Sequence, residues 1–151
     1  MCGGIEYQGD KVFFPNPEAR LPVRTRDGGI TWVPWGERSK GGKLVFPNGG
    51  WARLDSIYAG KWKPWHPRPV QIICDKFMEK DAEGVSHWFD LEAHMVIQGL
   101  VAERDKQQRV YVVTERPPAE YAWIHDRFPR LVKMGAEHLV RQGVEQESQA
   151  D

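Results

Sequence analysis

The stretch His94-Met95-Val96-Ile97-Gln98-Gly99-Leu100-Val101, then a polar segment over residues 103–108, then Arg109-Val110-Tyr111-Val112-Val113-Thr114, decides the fold class. Both flanks are short apolar runs rich in β-branched and aromatic side chains, which is how strands buried in a sheet read. The polar segment between them suits a hairpin loop. Working outward, residues 86–91, 70–74 and 30–33 carry the same strand signals. Glycine (15) and proline (11) punctuate the chain, most densely before residue 70, so short strands and ordered loops are expected there rather than long helices. Helix signals are few. Residues 52–58 form a weak one, residues 118–123 suit a turn or two, and residues 130–141 space Leu131, Met134, His138 and Leu139 near a helical period. The expectation is an α+β fold, a single β-rich domain with a few short helices.

A length of 151 residues fits one domain with a real core. The domain is expected to occupy residues 1–141, leaving 142–151 as a polar, flexible tail. Apolar residues make up 40% and charged residues 28%, the balance of a globular chain, and no run approaches the ~18 apolar residues of a membrane span. Met1-Cys2-Gly3-Gly4 lacks the charged start and apolar stretch of a secretory signal, so a cytoplasmic protein without membrane contact is expected. In that compartment Cys2 and Cys74 are thiols.

The net charge of +0 hides segregation. From Arg20 to Arg68 the chain carries ten cations (Arg20, Arg24, Arg26, Arg38, Lys40, Lys43, Arg53, Lys61, Lys63 and Arg68) against Asp27, Glu37 and Asp55, a local excess of +7. Trp32, Trp35, Trp51, Trp62 and Trp65 are interleaved with them. Cations alternating with flat rings suit phosphate contacts and base stacking. The same pattern also arises when basic stems cover the rims of core tryptophans.

Chemistry is concentrated at the start of the chain. Removal of Met1 before a small residue makes Cys2 the terminus, with an α-amine of pKa ~7.7–8.0 beside a thiol near 8.5. That pair condenses with an aldehyde and closes a thiazolidine ring. Other chemistries find less support. His66, His87, His94 and His138 are scattered, no metal-ligand spacing stands out, and no phosphate loop, dinucleotide fingerprint or nucleophile-elbow serine occurs. No metal or cofactor is expected.

Several short segments, in order, resemble the SOS-response-associated peptidase family. Met1-Cys2-Gly3 matches its opening, with Gly4 where an Arg is usual. Trp35-Gly36-Glu37 is similar to its Trp-Gly-Leu, and Trp51-Ala52-Arg53-Leu54-Asp55-Ser56 to its Asn-Ala-Arg-x-Glu-Thr, so that Trp51 stands in place of Asn. Asp75, Phe77 and Glu79 keep the spacing of its Pro-Ala-Asp-Gly-Phe-Tyr-Glu-Trp, and Gln98-Gly99-Leu100-Val101 is a reduced Ala-Gly-Leu-Trp. The fullest match is late: Val112-Val113-Thr114, then Ile124-His125-Asp126-Arg127-Phe128-Pro129.

The resemblance covers residues 1–132 and identifies the chain as a short, divergent member. It implies a barrel-like mixed sheet core, a monomer, and covalent capture of abasic sites in single-stranded or gapped DNA. In that capture Cys2 is the nucleophile, Glu79 the general acid and base, and His125 a proton shuttle. The resemblance also implies DNA contacts from Arg53, Thr114, Trp51, Trp35 and Arg127. Two other readings stay open: an N-terminal-nucleophile thiol hydrolase acting through Cys2, with lyase or autopeptidase activity in the same class, and a non-covalent DNA-binding module.

Overall fold

The computed structural model describes residues 2–38 and 45–134. Twelve strands and one short α-helix follow in the order β1 (Cys2–Tyr7), β2 (Asp10–Phe13), β3 (Arg20–Arg24), β4 (Ile30–Pro34), β5 (Trp51–Arg53), α1 (Leu54–Tyr58), β6 (Arg68–Ile72), β7 (Lys76–Lys80), β8 (Ser86–Asp90), β9 (Met95–Arg104), β10 (Gln107–Glu115), β11 (Phe128–Pro129) and β12 (Leu131–Lys133). Two 3-10 turns, Lys63–Trp65 and Ala119–Tyr121, complete the set. The fold is the expected β-rich α+β domain.

The strands form two sheets and no closed barrel. One is four-stranded and antiparallel, in the order β2-β1-β7-β8; the other is eight-stranded, in the order β11-β10-β9-β6-β3-β4, with β12 on β9 and β5 on β10. The β5–β10 pair runs parallel, so the larger sheet is mixed as expected.

The deciding hairpin forms with longer arms than its apolar runs. Asp105 and Lys106 both take left-handed backbone (φ 51° and 64°), the geometry of a two-residue hairpin turn, so Gln107 pairs with Arg104 and Gln108 with Glu103. Alternate residues of this hairpin then enter different cores. Val110 and Val112 join Ile97, Leu21 and Trp35 on one side, while Tyr111 and Val113 join Leu100, Phe46 and Trp62 on the other. A sheet covered on both faces needs apolar side chains at successive positions, which explains the unbroken run Val110-Tyr111-Val112-Val113.

Several boundaries differ from the expectation. Residues 130–134 are not helical: Leu131, Val132 and Lys133 pair with Ile97, Val96 and Met95, because a half-buried, partly β-branched triplet completes the edge of β9 more effectively than a weak helical period can fold alone. Residues 135–141 and the tail 142–151 lie outside the described residues. Ala52 is strand, so the first helix starts at Leu54, and only Ala119–Tyr121 of the second expected helix turns. Strands β1, β2, β3, β5 and β7 carry glycine, proline or a basic residue among their apolar residues and are recruited by their neighbours in the sheet. Among the described residues no helix is long and apolar enough to cross a membrane.

Candidate functional site

Cys2 begins β1 and faces Glu79 on β7 as its direct cross-strand partner. The register then shifts, with Gly4 opposite Met78, so Gly3 is the extra residue of a bulge. Gly4 has a steric reason to lack a side chain, since a Cβ there would lie 2.8 Å from the Phe13 ring. Both members of the Cys2–Glu79 pair are fully buried. The Cys2 thiol donates to the Gly4 carbonyl at 3.4 Å. Burial, reinforced by the nearby Glu79 charge, pushes that thiol up to about 12. Burial likewise pushes the Glu79 carboxyl up to about 7, so a group that is ordinarily an anion holds a proton through much of the neutral range.

Trp51, at the start of β5, reaches this pair from the other sheet. Its indole N–H donates to the Cys2 carbonyl at 2.7 Å, and its ring packs against Phe14 at 4.7 Å. Trp51 is therefore a hydrogen-bond donor that fixes the Cys2 backbone. A cleft of about 460 Å³ opens beside it, lined by Gly3, Phe14, Trp51, Met78, Lys80 and His125, and reaches β1 one residue from Cys2.

His125 is held by its own turn. Its Nδ1 accepts the Arg127 backbone N–H at 3.0 Å and lies 2.9 Å from Asp126 Oδ1. These two contacts require Nδ1 without and with a hydrogen, respectively. The ring accepts at Nδ1 only as the neutral tautomer with its proton on Nε2, whereas the neutral Nδ1–H tautomer or the imidazolium donates to Asp126. Partial burial lowers the imidazole below its ordinary value and favours the neutral form, against the pull of Asp126.

Arg127 secures the segment from behind. Its Nη2 donates to the Thr114 carbonyl at 2.7 Å and lies 3.2 Å from the Thr114 hydroxyl. Thr114 is buried, and its place on β10 is directly opposite Arg53 on one side and Pro129 on the other. Burial, then the neighbouring Arg53 charge, holds the Arg127 guanidinium below its ordinary value. Arg53 itself is exposed and forks onto Asp55 at 3.1 and 2.8 Å, which brings that carboxyl down to about 2. Arg53, Arg116, Asp126 and Arg127 share a second recess of about 410 Å³.

Trp51 and His125 line the cleft, while the buried Cys2–Glu79 pair lies one residue behind it, through Gly3, Met78 and Lys80; Arg53 and Arg127 line the second recess, with Thr114 buried behind Arg127. Trp35 is a correction. It is fully buried and its indole N–H is committed to the Gly50 carbonyl at 3.0 Å, so it has no face for a base. Its flanks are apolar because it fills the core, not because it meets a ligand. Arg38 is also turned inward, donating to the carbonyls of Phe14 and Trp35. Lys40 and Lys43 lie outside the described residues. Cys74 is buried in the same core as Cys2, and burial pushes its thiol up.

Two contributors escape the sequence reading. Phe14 supports Trp51, a role hinted at only by the apolar run Phe13-Phe14-Pro15. His87, one of the scattered histidines, is the cross-strand partner of Glu79 on β8; no local motif marks it. Among the described residues no three His, Cys, Asp or Glu side chains are grouped to hold a metal ion. The sequence matches no protein-family model and no curated protein.

Proposed function

We propose that this chain is a short member of the SOS-response-associated peptidase family that captures abasic sites in single-stranded or gapped DNA as a thiazolidine on Cys2. The observation that carries the reading is the buried pairing of Cys2 with Glu79, whose chain neighbours Gly3, Met78 and Lys80 line a cleft bordered by His125. After loss of Met1, the Cys2 amine attacks C1′ of the ring-opened deoxyribose. The resulting carbinolamine loses water, with Glu79 supplying the proton. The thiol then adds to the imine carbon, and its proton passes through Glu79 to the ring nitrogen. Aldehyde and aminothiol become thiazolidine and one water, with no redox partner.

A carboxyl near 7 populates both forms at neutral pH and so serves the giving and the taking step. His125, bordering the cleft, exchanges protons on the substrate side. Trp51 holds the Cys2 carbonyl and with it the direction of the nucleophile. The proposal places the protein in the cytoplasm as a monomer, without a cofactor.

Intact-mass measurement tests it. The mature protein is expected to begin at Cys2 and to gain the mass of an abasic oligonucleotide in an adduct that survives denaturation, with no gain from intact DNA. Retention of Met1 in reactive protein, or equal adduct yield from Cys2→Ala, would overturn the mechanism.

A further inference from the structure

Trp123 is 63% exposed, more than any other large apolar side chain among the described residues. It lies two residues before His125, and the ring recorded against it is a polar one: the His87 imidazole stands perpendicular to the indole, with centroids 5.1 Å apart and planes at 87°. His87 is itself held, Nε2 lying 2.8 Å from Asp81 Oδ2. Asp81 in turn is fixed by its turn, Oδ1 accepting the backbone N–H groups of Glu83 at 2.9 Å and Val85 at 3.0 Å. A chain of contacts therefore runs from a tight turn through a carboxylate and an imidazole to an exposed indole. Its position is next to the cleft, since His87 is opposite Glu79 and its neighbour Ser86 lines the cleft together with Lys80 and His125.

An indole displayed in this way costs apolar surface to water and is braced by polar groups. We infer that Trp123 stacks on the nucleobase adjacent to the abasic site, with His87 and Asp81 as positioning residues. This inference rests on the proposed capture of abasic DNA. The loss of a base leaves its neighbour with one uncovered π-face, and a flat ring held beside the cleft replaces the missing partner. The contact is tolerant of base identity because every base has such a face, while Lys80 at the same cleft supplies a cation for the backbone.

The test uses single-stranded oligonucleotides carrying a tetrahydrofuran abasic analogue, which has no aldehyde and binds without reacting. Trp123→Ala is expected to weaken binding roughly 5- to 150-fold, the range of one base–aromatic stack, without changing the melting temperature. Trp123→Phe should recover part of that loss, and His87→Ala should cause a smaller one. Replacing one flanking nucleotide by a base-free propyl spacer should weaken the wild type by a similar factor and the Trp123→Ala variant no further. Equal affinities of wild type and Trp123→Ala, or independent losses from variant and spacer, would overturn the inference. So would a loss of self-association in Trp123→Ala with DNA binding intact. An aldehyde-bearing strand separates the two levels. An adduct from wild type with no effect of Trp123 defeats only the stacking, a coupled loss without any adduct defeats only the covalent step, and no binding at all defeats both.

Discussion

In the β9–β10 hairpin, Leu100, Ala102 and every residue from Val110 to Val113 are buried apolar groups, whereas the β1–β7 pair of the smaller sheet buries a thiol and a carboxyl opposite each other. Removing apolar surface from water stabilises by about 25 cal/mol per Å². Removing a carboxylate from water has the opposite sign, and the protein expresses that cost as a proton retained up to about 7. The hairpin therefore supplies stability that the smaller sheet uses to hold reactive groups in place. If that division is right, changes in the two regions should separate into losses of stability and losses of reactivity.

The largest effect is expected in the hairpin. Leu100→Ala leaves a void in the second core, which also holds Tyr111 and Trp62, and should destabilise the fold by about 3 kcal/mol, read as a shift in the urea midpoint at unchanged slope. Adduct formation by the molecules that remain folded should be unaffected. A matching loss of reactivity at full foldedness would break the comparison.

Glu79→Gln should do the reverse. In the unfolded chain the carboxyl loses its proton near 4.5, while the folded protein keeps it to about 7. The native state binds more protons across that interval, so the unfolding free energy falls as pH rises from 4.5 through 7 and is level above it. The total is on the order of 3 kcal/mol for the wild type and should vanish in the Gln variant. Denaturation midpoints at about pH 5 and about pH 8 measure it. The variant should be the more stable protein at the higher pH and nearly inert toward abasic DNA.

Trp51 joins the two regions, being a strand residue of the larger sheet that donates to the smaller one. Trp51→Phe keeps the packing against Phe14 and loses the N–H, so a destabilisation of about 1 kcal/mol is expected. A slower adduct rate should accompany it. Unchanged kinetics would mean that the Cys2 carbonyl needs no anchor.

The smallest effect on stability belongs to Arg53→Ala. The ion pair with Asp55 is exposed, so the melting temperature should be unchanged. Binding to single-stranded DNA should lose about 0.7 from the slope of log affinity against log salt if Arg53 contacts a phosphate. An identical slope removes Arg53 from the DNA path.

Sequence alone determined the elements whose signals are local. Continuous apolar runs place β9 and β10 within a few residues, because a strand covered on both faces must be apolar at successive positions, and shorter apolar or aromatic stretches place β6 and β8. Cys2, Glu79 and His125 are legible as reactive types; His125 lines the cleft, and the buried Cys2–Glu79 pair lies one residue behind its wall. Tertiary structure decided the rest. Trp35 and Trp51 look alike in a cationic stretch, yet one fills the core and the other holds the Cys2 carbonyl. Residues 131–133 have a helical spacing and become a strand because β9 offers an unpaired edge. His87 gains meaning only from the register that sets it opposite Glu79. The physical reason is common to all three. Periodicity reports which face of an element avoids water, whereas the partner across a sheet lies far along the chain, and only closure of the whole fold selects it.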